Sequence, residues 1–502
     1  MKALALCLFG TLALHGFAAE AKRPNILFIY ADDQSTKTVA CYPEAWPWVK
    51  TPHIDALAEK GIRFHAAYLG SWCMPSRATM LTGRHPHGIE SMSMEGVYPG
   101  STYDPKQCPF FPAQMRKQGY QTAHIGKWHT GTDSGWGRDW DHQIVWNRPL
   151  HQDNAGAYYQ TQITSIDGEE QTIEGYPADN YTQWSLDYIH GKNRDATKPW
   201  YLWLCYGSIH GPSTPAKRHK GSYKDEEVPV PADIFPPREG KPGYLNNTQM
   251  WVQGPDGHPV VGKGGERSAK KQNGQRFDSW VRQVNECVPA IDEGIGKLVA
   301  ALKETGQYDN TVIIYTADQG FAMGEHGFRT KLAPYDANYR SPFIVSMPSR
   351  FATGQFCDVS VNGPDLVATF LALAGVQVPW AVHGRDLTPL LEKPDAPWPH
   401  ACYYENMGNE YGSKVTQTIL TGAKQDSNHG VPLYSAVVQD KFKFVHYLDG
   451  KSGEELYDLK NDPDELRNLV GDPAHSERVT KLREVLKAEL KKTEAGFADA
   501  VK

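Results

Sequence analysis

Residues 25–34 read NILFIYADDQ, an apolar run that stops at two adjacent aspartates. Residues 311–320 read TVIIYTADQG and repeat the pattern far downstream. Short apolar runs rich in β-branched and aromatic residues are the mark of strands buried on both faces. Three more runs share this texture: Thr122–Ile125, Trp200–Tyr206 (WYLWLCY) and Pro342–Met347 (PFIVSM). Helical patterns lie between them, over Ile54–Lys60, Arg77–Leu81, Phe111–Gln118, Tyr181–His190, Phe277–Glu304 and Pro364–Ala374. Strands alternating with helices predict an α/β class, a large and mostly parallel sheet sandwiched by helices. Such sheets bind ligands beyond the carboxyl ends of their strands. Polar residues gather at those ends: Asp32 and Asp33, then Lys127 and His129, then His210, then Asp318 and Gln319 with Lys331 a little later.

Working outward, 502 residues allow two to three domains. The texture changes around Pro389–Pro399, where a linker is expected. The tail reads as strands at Leu433–Val438 and Phe442–Tyr447, the turn-rich GEELYDLKNDPDELRNL, and a helix near Glu477–Thr493. This divides the chain into an α/β domain over 22–390 and a C-terminal α+β part over 391–502, an antiparallel sheet with a terminal helix. The stretch Gly211–Gln275 is rich in Pro, Gly, Lys and His, and is read as loops or a β-hairpin excursion over the site.

The composition, 40% hydrophobic and 22% charged, excludes disorder and coiled coil, and a net charge of −6 gives no nucleic-acid-binding balance. The first 21 residues carry Lys2, an apolar run and Ala19-Glu20-Ala21, the pattern of a signal peptide. Export to the periplasm or the extracellular medium is therefore expected, with no membrane span. Seven cysteines remain after that segment, an odd number with no C-x-x-C spacing.

The strand-end residues specify a chemistry. Three carboxylates and an amide (Asp32, Asp33, Asp318, Gln319) offer only oxygen, which suits a hard cation such as Ca²⁺ or Mg²⁺ far better than zinc. Arg77, Lys127, His129, His210 and Lys331 add the positive charge and proton donors that a tetrahedral oxyanion needs. Cys73 stands before Pro75, Ser76 and Arg77 in SWCMPSRATMLTGR (71–84). A nucleophilic thiol, a metal ligand, a half-disulfide and a cysteine awaiting conversion are all open readings, although a soft thiolate is mismatched with an oxygen site.

CMPSRATMLTGR resembles the C-x-P-S-R-x-x-x-L-T-G-R signature of formylglycine-dependent sulfatases in the alkaline phosphatase superfamily. Gly119–His129 (GYQTAHIGKWH) is similar to that family's second signature, and Asp32-Asp33, TADQGFAMGEHGFRTK and ELYDLKNDPDELRNL look like the same family. The resemblance implies that a maturase oxidises Cys73 to formylglycine (3-oxoalanine). It implies Ca²⁺, in preference to Mg²⁺, on Asp32, Asp33, Asp318, Gln319 and the modified Cys73. Many members have Asn at the last amide position, and Gln319 keeps the amide oxygen. Arg77 and Lys127 would fix the formylglycine hydroxyls, His129 would bond to one of them, and His210 and Lys331 would face the bridging ester oxygen. A hydrated aldehyde offers one hydroxyl to attack sulfur and a second through which sulfate is released, which an ordinary Ser or Cys lacks.

The expected activity is hydrolysis of a sulfate ester, with a sulfated sugar or oligosaccharide as substrate. Export and the block GWGRDWDHQIVWNRPLHQDN suggest the sugar, with Arg138, His142, Arg148 and His151 as candidate contacts. The rivals are a phosphate or phosphonate ester hydrolase of the same superfamily and an inactive glycan-binding relative.

Overall fold

Both aspartate-terminated runs are fully buried strands, and they lie side by side in parallel, Asn25 opposite Thr311 and Ala31 opposite Ala317. The structure, a computed structural model, describes residues 23–94, 100–262, 273–425 and 428–501. The expected signal segment lies outside the described residues.

In chain order the strands are β1 (Asn25–Ala31), β2 (Ile62–Tyr68), β3 (Gln121–Trp128), β4 (His142–Asn147), β5 (Gln162–Ile166), β6 (Glu169–Ile173), β7 (Trp200–Cys205), β8 (Trp251–Gln253), β9 (Pro259–Val261), β10 (Thr311–Ala317), β11 (Arg340–Ser341), β12 (Phe343–Ser346), β13 (Gln355–Asn362), β14 (Cys402–Asn406), β15 (Tyr434–Gln439), β16 (Phe442–Tyr447) and β17 (Glu454–Asp458). The large sheet runs β11-β2-β12-β10-β1-β7-β3-β4-β5-β6, with β13 beside β2. Its centre, β10-β1-β7-β3-β4, is wholly parallel. The edges turn antiparallel: β12 runs against β10, and β5 and β6 form a hairpin on β4. The carboxyl ends of β1, β3, β4, β7 and β10 therefore meet on one edge.

Alternation along β1 divides the core. Ile26, Phe28 and Tyr30 face an apolar cluster that continues through Phe370 into Phe444, Leu456 and Leu486 of the C-terminal part. Leu27, Ile29 and Ala31 face the opposite cluster, with Ile54, Tyr181, Ile291 and Leu298 from the covering helices. The C-terminal sheet, β14-β15-β16-β17, is antiparallel throughout. The helix Ser476–Lys492 buries Val479, Leu482, Leu486 and Leu490, spaced at helical intervals. The division expected between 390 and 391 falls within the short helix Thr388–Glu392.

Two helical expectations need correction. The single helix expected over Phe277–Glu304 is two, Phe277–Asn285 and Val288–Glu304. Pro289 sits in the first turn of the second; it has no N–H to continue the first, and its ring excludes the carbonyl four residues back. The helix expected from Arg77 begins earlier, at Cys73, and runs to Thr82, ending on Gly83 at φ 72°. All ten of its residues are buried, packed against the helix Gly363–Ala374. The insertion does form a hairpin, β8 with β9.

Candidate active site

The loop leaving β1 turns at Asp33, whose φ of 60° lies in the left-handed region. That turn presents Asp32 and Asp33 side by side, and Asp318 at the end of β10 joins them. Asp318 Oδ1 accepts the backbone N–H groups of Asp33 (2.9 Å) and Gln319 (3.1 Å). Cys73, the first residue of its helix, places Sγ 3.3 Å from Asp32 Oδ1 and 3.8 Å from Asp33 Oδ1. One ligand atom each from Asp32, Asp33, Cys73 and Asp318 falls within a 4.8 Å spread, and all four residues are buried.

The cations close around this cluster. Arg77, one turn after Cys73, donates from Nη2 to Asp318 Oδ2 at 3.0 Å and from Nη1 to the Lys127 carbonyl at 3.2 Å. Lys127, inside β3 rather than beyond it, pairs with Asp32 Oδ2. Lys331 Nζ lies 2.5 Å from Asp33 Oδ1 and 3.1 Å from Cys73 Sγ. His210 Nε2 is 3.6 Å from Asp33 Oδ2, while its Nδ1 donates to the Gly211 carbonyl at 2.7 Å. His129 is buried with its ring nitrogens 3.2 and 3.3 Å from Arg148 Nη1, and its ring meets Trp72 edge-on.

Electrostatics follow from that crowding. Burial pushes Asp318 up to about 7, with the Asp32 charge adding to it. Burial also opposes ionisation of Asp32, but Lys127, His210 and Arg77 outweigh it and hold that carboxyl well below its ordinary range. Burial, then Asp32, push the Cys73 thiol up to about 12, so it is neutral and unlike the electropositive thiolates of cysteine enzymes. Burial keeps His129 well below the ordinary imidazole value, reinforced by Arg148 and Lys127. Burial takes His210 down to about 4 against the pull of Asp33.

The donor set fits a hard cation. Three buried carboxylates converge, and Gln319 Oε1 is buried with no hydrogen-bond partner while its Nε2 touches Asp33 Oδ1. An orphaned amide oxygen beside crowded carboxylates is an arrangement that a divalent ion satisfies.

Sequence reasoning did not single out Tyr158. Its ring stacks on His210 and lies 4.9 Å from the Arg148 guanidinium and 5.3 Å from Lys127 Nζ. Nothing in the local sequence marks it, because its role arises from a loop folding back over the strand ends. Of the four residues offered as sugar contacts, only Arg148, at the carboxyl end of β4, reaches the cluster. His142 begins the same strand at the far edge and pairs with Asp167. Arg138 pairs with Asp133 and Asp139, and His151 with Glu170.

Comparison with known proteins finds a family and several relatives. The sulfatase family model matches residues 24–376, and a model for the N-sulphoglucosamine sulphohydrolase C-terminal region matches residues 324–493. An N-acetylglucosamine-6-O-sulfatase of Bacteroides thetaiotaomicron is 29% identical, the match covering 93% of this chain and 86% of that protein. An arylsulfatase of Clostridium perfringens is 25% identical over 96% of this chain and 97% of that one. A structure solved in complex with its substrate, D-glucosamine-2-N,6-O-disulfate, superposes with a TM-score of 0.78 at 27% identity, covering 94% of this chain and 98% of the other.

Proposed function

The chain belongs to the sulfatase family, and from that premise we propose that it removes sulfate from a 6-O-sulfated glucosamine or a closely related sugar, using a formylglycine made from Cys73 and a bound Ca²⁺. The single observation that carries the reading is the convergence of Cys73 and three carboxylates in one buried cluster, with Lys331 against it. The sugar rests on the relatives, named as N-acetylglucosamine-6-O-sulfatase or solved with glucosamine-2-N,6-O-disulfate. Export by the N-terminal segment is part of the same proposal.

Asp32, Asp33, Asp318 and Gln319 would hold the cation. A hydrated formylglycine beside it would supply the hydroxyl that attacks sulfur and a second whose deprotonation frees sulfate. Arg77 and Lys127, both held by carboxylates from beneath, would orient the hydroxyls and neutralise charge on the sulfate oxygens. His129, kept neutral, would accept the proton at a ring nitrogen. Entry of the anionic sulfate beside it would let His210 take up a proton at Nε2, its Nδ1–H staying on the Gly211 carbonyl. It would pass that proton to the departing sugar oxygen while Lys331 stabilises the charge, which matters because an alkoxide is a poor leaving group.

The test is sulfate release, measured by ion chromatography, from N-acetylglucosamine-6-O-sulfate, other sulfated sugars, an aryl sulfate and an aryl phosphate. The reading expects the 6-O-sulfated sugar to be preferred over isomers sulfated elsewhere. A preference for the phosphate would overturn it, as would sugar binding without turnover by protein whose Cys73 conversion is verified.

A further inference from the structure

Arg329 lies two residues before Lys331, in the loop that carries that lysine to the cluster. Its guanidinium sits over Trp280, 4.6 Å from the ring centroid, and 5.9 Å from that of Trp251. Nη2 donates to Gln275 Oε1 at 2.9 Å, while Nη1 is buried and has no hydrogen-bond partner. Among the described residues no carboxylate pairs with it, and burial alone draws it down to about 10. A cation held largely out of water without a counter-charge is costly, and pairing with an anion would offset that cost.

The side chain belongs to a continuous wall. Gln275 Nε2 donates to Gln283 Oε1 at 3.3 Å, and Gln283 Nε2 donates to the carbonyls of Pro212 (3.2 Å) and Ser213 (3.0 Å), just beyond His210. This polar chain joins the loop of Arg329 and Lys331 to the loop of His210, the two residues read above as facing the departing sugar oxygen being Lys331 and His210. Trp251 comes from the insertion hairpin, and it is nearly fully buried together with Trp280, so the two indoles support the guanidinium.

We propose that Arg329 forms a subsite for a second anionic group on the substrate, a sulfate or a carboxylate carried by the departing sugar or its neighbour, with Trp280 beneath the guanidinium and Gln275 fixing its plane. A planar fork whose Nη1 has no hydrogen-bond partner matches the geometry of either oxyanion. The inference rests on the sulfated-sugar reading above and deepens it: the enzyme selects sugars bearing two negative groups.

The experiment compares wild type, Arg329→Ala and Arg329→Lys on two substrate pairs. One pair is N-acetylglucosamine-6-O-sulfate and glucosamine-2-N,6-O-disulfate; the other is a 6-O-sulfated disaccharide with and without a uronate carboxylate. In at least one pair, Arg329→Ala is expected to lower kcat/KM for the doubly charged member at least tenfold more than for its partner, mainly through KM, and Arg329→Lys to recover part of the loss. The pair that responds identifies the anion as sulfate or carboxylate. Equal losses within both pairs, or none, overturn the subsite. If wild type cleaves none of the four but does cleave an aryl sulfate, the sugar reading has failed; the subsite is then judged by calorimetric binding of the same sugars to Cys73→Ala protein with and without Arg329→Ala. Equal affinity changes, or no binding at all, overturn it there.

Discussion

Tyr158 lies flat against His210, ring centroids 4.0 Å apart and planes within 5° of parallel. The same ring stands beside the cations of Lys127 and Arg148, so one aromatic face fixes the histidine proposed to protonate the leaving group. Tyr158→Ala is expected to cost about 100-fold in kcat/KM on a sugar sulfate, the scale of a small displacement of a catalytic group. The loss should be much smaller on a nitrophenyl sulfate, whose leaving group needs no proton, and Tyr158→Phe should stay near wild type. Equal losses on both substrates would show a general collapse rather than a misplaced His210.

Conversion of Cys73 is read by peptide mass. The residue in active protein should have lost its sulfur and gained an aldehyde, and Cys73→Ser, produced with a maturase that accepts only cysteine, should release no sulfate above background. Active protein carrying an intact thiol would leave the proposed chemistry without a nucleophile, since burial and Asp32 already hold that thiol neutral.

On the proposed reading, metal retention should depend on the carboxylate cluster. Changes outside the ligand shell commonly weaken metal binding by about 10–100-fold, so Asp318→Asn, which alters a ligand, is expected to exceed about 100-fold. Gln319→Leu, which removes the orphaned oxygen, should fall nearer 10-fold. Metal content by plasma emission and calorimetric titration check both. Chelation should also lower Tm, because it leaves Asp32, Asp33 and Asp318 facing one another without a divalent charge.

Stability should depend on pH through His87. Burial lowers its pKa, but Glu405 Oε2, 2.7 Å from Nδ1, overcomes this and raises it above the ordinary 6.5. A raised imidazole stabilises the fold fully below that ordinary value, and the contribution fades as pH rises through the folded value. His87→Gln leaves Glu405 buried without its charge partner, a loss of about 3 kcal/mol on the scale of broken buried pairs. The Tm gap between wild type and variant should be widest in mild acid and narrow in alkali. A gap independent of pH would mean that His87 acts by packing alone.

The parallel centre of the sheet was legible because β1, β7 and β10 are buried on both faces, which leaves unbroken apolar runs. β2 and β13 were not, since IRFHAAY and QFCDVSVN mix polar with apolar positions as half-covered strands do. The clustering of the aspartates with Lys127, His129 and His210 was legible because these residues end or follow strands that converge on one edge. The candidates in the block 135–154 fall apart because a strand runs through it. β4 separates His142 from Arg148 by about 20 Å of extended chain, so residues close in sequence occupy opposite ends of the sheet. Tyr158 and the Arg148–His129 contact depend on how the chain beyond β4 folds back, which no local pattern encodes.

Cys73 is 1% exposed at the head of a helix with no solvent-facing residue. On the proposed conversion of Cys73, the catalyst would have to reach its sulfur while the segment is still threadlike, so modification and collapse would be competitors in time. A batch purified without the aldehyde could not be repaired by adding maturase afterwards; it would have to be unravelled first. Yield of working enzyme would then be governed by how slowly the surrounding layers close, making sluggish assembly an asset during biogenesis.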